Sequence, residues 1–183
     1  MRRPSSDSFR VVLVLPARAY TGRYDNDEHV RDLSQLGGER FHAYCPYAGG
    51  PAIGPTGYRY HPIYLHAKVA VVDDEWLSVG SANLNRRGLA TDSEMNVQSI
   101  APTVARALRI RLWAEHLGLP EEEVEKADPI DVIDSAWPAA ATKLERLIRA
   151  GSPPDAAQVR RYVPGRNPPS RLLDIIQGAT LEH

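Results

Sequence analysis

The sequence of 183 residues has little of several features that mark particular classes of protein. It contains one cysteine, Cys45, which excludes an internal disulfide and favours a small buried apolar residue at that position. No apolar run approaches the roughly 18 residues of a membrane-spanning helix. The apolar run at residues 11–15 is too short for the central region of a secretion signal. The predicted location is therefore cytoplasmic, or peripheral at a membrane.

The chain also lacks an excess of charge of either sign. The chain has 22 basic and 23 acidic side chains, with a formal net charge of −1. Such a balance provides no global field to attract a polyanion, which disfavours a non-specific nuclease. Hydrophobic residues at 43% and charged residues at 25% are typical of a globular domain with one core.

Strands and helices alternate along the chain, which predicts an α/β fold with a mixed β-sheet flanked by helices. Strands are predicted at residues 9–15, 41–44, 63–72, 76–79 and 95–100. Helices are predicted for about ten residues from Asp25 or Asn26, and at residues 102–117, 121–126 and within 128–150. The proline-rich segments 45–62 and 151–169 are predicted as irregular. We expect a disordered N-terminus (1–8), one domain (9–120) and a helical and irregular, proline-rich C-terminal extension (121–183).

The most informative pattern begins at His66 and Lys68. On a strand, positions two apart face the same way, so these side chains are predicted to project together. Asp73-Asp74 predicts a turn before the returning strand. Gly80 and Ser81 then permit a close approach of backbone, and Asn83 adds an amide donor at the same point.

Each polar residue in this pattern suits phosphoryl chemistry. A histidine titrates near neutral pH and can act as a nucleophile or a proton carrier. Lys68 and the Asn83 amide can hold the charge of phosphoryl oxygens. Glu94 is the best candidate to orient His66, and Ser81 either donates to phosphate or forms a turn. No cluster has metal-ligand spacing, so the sequence predicts a metal-independent site without a cofactor.

Residues 64–97, YLHAKVAVVDDEWLSVGSANLNRRGLATDSEMNV, resemble the HKD motif of the phospholipase D superfamily. The similarity is closest to the second, C-terminal copy in bacterial phospholipase D and cardiolipin-synthase-like proteins. It implies one half of a phospholipase D fold and a phosphodiesterase or phosphatidyltransferase acting through a phosphohistidine. The resemblance makes Asp73 and Gly80 structural motif residues, with Asn85 and Arg86 supporting the motif loop.

Superfamily members need two such motifs, whereas this sequence has one. None of the other five histidines, at positions 29, 42, 61, 116 and 183, has a lysine two residues later. The resemblance therefore implies a second HKD-bearing half or a homodimer mate as partner, and the C-terminal type of the motif favours a phospholipid as substrate. Two alternatives stay open, namely a homodimeric HKD nuclease and a catalytically silent, truncated domain.

Two further groups of residues have alternative interpretations. Four tyrosines either line the entrance to the site or pack within the fold. They are Tyr44, Tyr47, Tyr58 and Tyr60. Four arginines either contact anionic lipid at a membrane surface or form a solvated basic face. They are Arg160, Arg161, Arg166 and Arg171.

Overall fold

The computed structural model describes residues 8–17, 25–52, 57–84, 86–156 and 158–165, and within these ranges it contains seven strands and six α-helices. The strands are β1 (Val11–Val14), β2 (Phe41–Pro51), β3 (Tyr58–Pro62), β4 (Lys68–Val72), β5 (Trp76–Gly80), β6 (Asn96–Ser99) and β7 (Val159–Arg161). The helices are α1 (Asp25–Gly37), α2 (Arg86–Ala90), α3 (Pro102–Leu117), α4 (Glu121–Lys126), α5 (Pro129–Asp131) and α6 (Trp137–Ala150), with a π-helical turn Val132–Ala136 before α6. The predicted α/β class is confirmed. Residues 1–7 of the predicted disordered N-terminus lie outside the described ranges.

The described strands form two sheets where the sequence predicts one mixed sheet. In the first sheet, β2 pairs in parallel with β1 and antiparallel with β3 and β7. In the second sheet, β4, β5 and β6 pair antiparallel in chain order. Each strand of the second sheet pairs with its neighbour in sequence, so the turn after β4 and the segment 81–95 complete this sheet without a strand from the first one.

The prediction of an irregular segment at residues 45–62 is wrong, because β2 continues to Pro51 and β3 follows it. Prolines interrupt a ladder only where their missing N–H is needed. Pro46 lies where β2 changes partner, opposite Val159 of β7, while the pairing with β3 begins at Tyr47. The prolines of this segment that the structure describes therefore lie where β2 changes partner and at the ends of β2 and β3.

The core lies on both faces of the first sheet. On one face the Tyr44 ring packs against Trp137 of α6, with ring centroids 4.9 Å apart. On the other face Cys45 packs with Val30 of α1 and Leu144 of α6. Helix α6 thus contributes side chains to both parts of the core that contain β1 and β2, although it falls in the predicted C-terminal extension. The boundary at residue 120 stays a prediction.

The C-terminal segment contributes a strand where an irregular segment, residues 151–169, was predicted. Strand β7 pairs with β2 through Tyr44, Cys45 and Pro46. Val159 of β7 is fully buried in the core, which stabilises this pairing. Arg160 lies over the Tyr47 ring at 5.8 Å and within 3.4 Å of Glu145. It therefore serves the fold, while Arg166 and Arg171 lie outside the described residues. In the described part of the chain, no helix combines the length and apolar character needed to cross a membrane.

The second sheet is attached to α3 through the turn between β4 and β5. Asp73 and Asp74 both have positive φ, 53° and 57°, as the primed turns of hairpins require. This confirms the predicted turn. Asp74 accepts two hydrogen bonds from the buried Arg109 guanidinium, at 2.5 and 2.7 Å, and that guanidinium lies 4.6 Å from the Trp113 ring centre. The turn is therefore held to the helix by a bidentate ion pair.

Candidate active site

The register of the second sheet brings the predicted site residues to one end of it. Lys68 lies opposite Gly80, and Gly80 lies opposite Asn96. Residues paired in this way share a face, with side chains about 5 Å apart on adjacent strands. Strand β4 begins at Lys68, β5 ends at Gly80 and β6 begins at Asn96. The segments before β4, after β5 and before β6 therefore meet at the same end of the sheet. These segments carry His66, Ser81, Asn83 and Glu94.

His66 does not lie on the strand, so the prediction of a strand is wrong for residues 63–67, and the projection of His66 beside Lys68 stays a prediction. Strand β4 begins only at Lys68, because β5 ends opposite that residue and turns into the next loop. The exposed His66 ring instead stacks on Tyr64, with centroids 5.9 Å apart and 22° between the planes. The imidazole is therefore accessible to a ligand, and its neighbour limits how it can rotate.

Lys68 stays close to His66 by a different contact. Its ammonium donates to the backbone carbonyl of His66 at 2.8 Å. An ammonium has three N–H donors, so this bond leaves others for a ligand. The Lys68 ammonium is thus held at the backbone of His66, and its approach to the imidazole stays a prediction.

The loop after β5 is fixed by its own hydrogen bonds. The Ser81 backbone N–H donates to the Met95 carbonyl at 3.0 Å, and the Ser81 hydroxyl accepts from the Met95 N–H at 3.0 Å. The hydroxyl is thus engaged in the turn, and contact between Ser81 and phosphate stays a prediction. A side chain at Gly80 would overlap Asn96, so glycine is required there.

Asn83 is exposed at the tip of this loop. Helix α2 packs closely on its backbone, because a Cβ at Gly88 would lie 2.5 Å from the Asn83 carbonyl oxygen. The helix and the loop can therefore approach this closely only because residue 88 is a glycine. Asn85 and the side chains of Arg86 and Arg87 lie outside the described residues.

Glu94 is exposed on the segment that leads into β6. Among the hydrogen bonds of residues 57–84 and 86–156, none joins Glu94 to His66. Orientation of the imidazole by this carboxylate stays a prediction. The contact that the structure gives the imidazole is the Tyr64 ring, a residue that sequence reasoning passed over, although its position two residues before His66 was a signal.

Three of the four candidate tyrosines and the cysteine have structural roles. Tyr44 and Tyr47 are buried, so neither lines an entrance, and Tyr60 donates to the Ser152 carbonyl at 3.0 Å. Burial raises the pKa of the Cys45 thiol to about 12, which makes it a core residue. Within the described ranges no three His, Cys, Asp or Glu side chains are grouped as metal ligands.

A cleft of about 560 Å³ lies at the other end of the hairpin, next to the β4–β5 turn. Asp73 and Asp74 line it, together with Arg106 and Glu125, which form an ion pair at 2.8 Å. Of the predicted site residues, only Asp73 reaches this cleft. Its distance from the His66 end agrees with a structural rather than a catalytic role for Asp73.

An α/β domain that gathers a histidine, a lysine and an asparagine at one sheet end has the composition of a phosphoryl-transfer site. The family model described as Phospholipase D matches residues 46–152, a range that contains the whole site. The chain belongs to the phospholipase D superfamily, as the sequence motif indicates. Its similarity to the C-terminal copy in bacterial and cardiolipin-synthase-like members stays a prediction.

Curated relatives include phospholipases D of plants. The chain is 38% identical over 86 residues to phospholipase D alpha 1 of Cynara cardunculus, covering 40% of this chain and 11% of the relative. It is 36% identical over 85 residues to phospholipase D gamma 2 of Arabidopsis thaliana, covering 39% and 10%. It is 35% identical over 83 residues to phospholipase D alpha 1 of Zea mays, with the same coverage. The chain thus spans about a tenth of the length of these relatives.

Proposed function

We propose that this chain supplies one half of the active site of a phospholipase D-like phosphodiesterase or phosphatidyltransferase. The observation that carries the proposal is the register that brings His66, Lys68 and Asn83 to one end of the β4–β5–β6 sheet. The exposed imidazole and an ammonium bonded to the backbone carbonyl of the same residue are the groups that the reaction needs. Membership of the superfamily and the names of the plant relatives support a phospholipid as the substrate.

The reaction has two steps. A neutral imidazole nitrogen attacks phosphorus, the bond to the leaving alcohol breaks, and a phosphohistidine forms. A second histidine, from the partner half, gives a proton to the leaving alcohol and then takes one from the incoming water or alcohol. Attack of that oxygen on phosphorus breaks the phosphorus–nitrogen bond and restores the imidazole. His66 fills one of these two roles, and in a symmetric dimer the two copies are equivalent until substrate binds.

Lys68 and Asn83 stabilise the charge that develops on the phosphoryl oxygens. Preorganised donors of this kind act without reorganising during the reaction. The bond from Lys68 to the His66 carbonyl holds the ammonium at the backbone of His66, which supports this role. The packing of Gly88 on the Asn83 backbone fixes the loop that carries the amide.

A partner half is supported by the surface around the site. Large apolar side chains are exposed next to the polar ones, with Leu84, Met95 and Val97 at 83, 78 and 67%. Clustered apolar exposure of this kind marks a surface that is covered in an assembly. The second histidine must approach across this surface.

The test is head-group release from phosphatidylcholine and phosphatidylglycerol vesicles by the complete assembly. His66→Ala is expected to lower turnover by at least about a hundredfold, the contribution of a proton-transferring group. His61→Ala is the matched control, because His61 is also exposed but lies on β3. Equal turnover in wild type and His66→Ala refutes the proposal. Plasmid nicking without lipid turnover favours the nuclease alternative.

A further inference from the structure

Asn96, the first residue of β6, bridges two parts of the chain that flank Gly80. Its side-chain nitrogen donates to the Ser78 hydroxyl at 3.2 Å, and its side-chain oxygen accepts from the Ala82 backbone N–H at 3.2 Å. Ser78 is buried, so the first bond satisfies a hydroxyl that water does not reach. The second bond fixes the residue that immediately precedes Asn83.

The amide of Asn96 fits this place in one orientation. The Ala82 N–H needs an acceptor, so the amide oxygen faces it and the amide nitrogen faces Ser78. The absence of a side chain at Gly80 makes room, because a Cβ there would overlap the Asn96 oxygen. The glycine of the motif and the asparagine of the next strand therefore form one unit.

We infer that Asn96 is a positioning residue for the phosphoryl site, which sets where the Asn83 amide meets the phosphoryl oxygens. The role of Asn83 in this inference rests on the proposed function, whereas the two hydrogen bonds do not. Asn96 touches no reacting atom and acts through the backbone of Ala82. A side chain of the next strand thus determines the geometry of the loop.

The first experiment measures amide hydrogen exchange at Ala82 by NMR in the full chain. Asn96→Ala removes the acceptor and is expected to speed exchange about tenfold, the loss of one hydrogen bond. Asn96→Asp keeps both contacts, since a carboxylate accepts from Ala82 and from the Ser78 hydroxyl, and is expected to restore slow exchange. Gln98→Ala is the matched control, because Gln98 is exposed on the same face of β6, opposite Ser78.

Amides of the β5–β6 ladder report in the same spectra whether the sheet remains intact. The inference is overturned if Ala82 exchanges equally fast in wild type and Asn96→Ala with the ladder preserved, or if Asn96→Asp behaves like Asn96→Ala.

The second experiment titrates the same variants with inorganic phosphate and follows the side-chain amide signals of Asn83. Asn96→Ala is expected to weaken phosphate binding about fivefold to tenfold, and Asn96→Asp to restore it. Equal affinity in wild type and Asn96→Ala overturns the positioning role. No response of Asn83 in the wild-type chain counts against the proposed function, while the exchange data still decide whether Asn96 fixes the loop.

Discussion

Replacing Asp74 by asparagine is predicted to destabilise the chain more than replacing Arg109 by methionine, although both changes break one ion pair. The two partners differ in burial, because the Arg109 side chain is 8% exposed and the Asp74 side chain 23%. The Nη1 atom of Arg109 is also buried without a hydrogen-bond partner. A charge left in the interior costs more than one that water reaches.

The magnitude follows from what each variant leaves behind. Asp74→Asn leaves a buried guanidinium, with a cost of about 3 kcal/mol, at the lower end of the range because the amide oxygen keeps one bond. Asparagine also tolerates the positive φ of 57° at this position, so the backbone adds little. Arg109→Met leaves a hydrated carboxylate and an apolar side chain against Trp113, with a cost of about 1 kcal/mol.

Urea unfolding followed by circular dichroism measures both free energies. Thermal unfolding of the same variants gives a second readout, because a loss of about 3 kcal/mol lowers the Tm of a chain of this size by roughly 6–12 °C. Asp73→Asn is the control, since it makes the same charge change in the same turn at an exposed residue, and it is expected to stay within about 0.5 kcal/mol of wild type. The reasoning is refuted if Asp74→Asn costs no more than Arg109→Met or than the control.

Three further predictions concern other contacts. Gly88→Ala forces a Cβ to within 2.5 Å of the neighbouring loop and is expected to cost about 1–3 kcal/mol in urea unfolding, whereas Gly50→Ala, with nothing within 4 Å, is tolerated. Tyr64→Leu removes the ring current on His66 and is expected to shift its imidazole proton signals in NMR, while Tyr64→Phe preserves them; identical spectra for the two variants contradict the stack. Burial lowers the pKa of His42 from 6.5, so the unfolded chain binds more protons than the folded chain and stability is lost as pH falls below 6.5. His42→Gln is expected to reduce this loss of stability in urea unfolding at several pH values. An identical dependence of stability on pH in wild type and His42→Gln contradicts this role of His42.

Local signals predicted a large part of this fold. Helix α3 begins at Pro102 and ends before Gly118, which has a φ of 66°, as the preferences for proline at helix starts and glycine at helix ends indicate. The Asp73-Asp74 turn and the strand after it were predicted because turn residues and β-branched residues act over a few positions. The gathering of the motif residues at one sheet end follows from this hairpin.

Features that depend on distant partners could not be predicted. The start of β4 at Lys68 is set by where β5 ends, and the pairing of β2 with β7 joins positions more than a hundred residues apart, such as Pro46 and Val159. The ion pair between Asp74 and Arg109 joins positions 35 apart, and no local pattern marks it. Asn96 was missed for the same reason, because its hydrogen bonds follow from the strand register.

A structure of the complete assembly with bound orthovanadate tests the central claim most directly. The account predicts vanadium next to a ring nitrogen of His66, and vanadate oxygens within about 3.2 Å of the Lys68 ammonium and the Asn83 amide. Vanadate bound away from these three groups, or a His66 ring turned away from the ion, would contradict it.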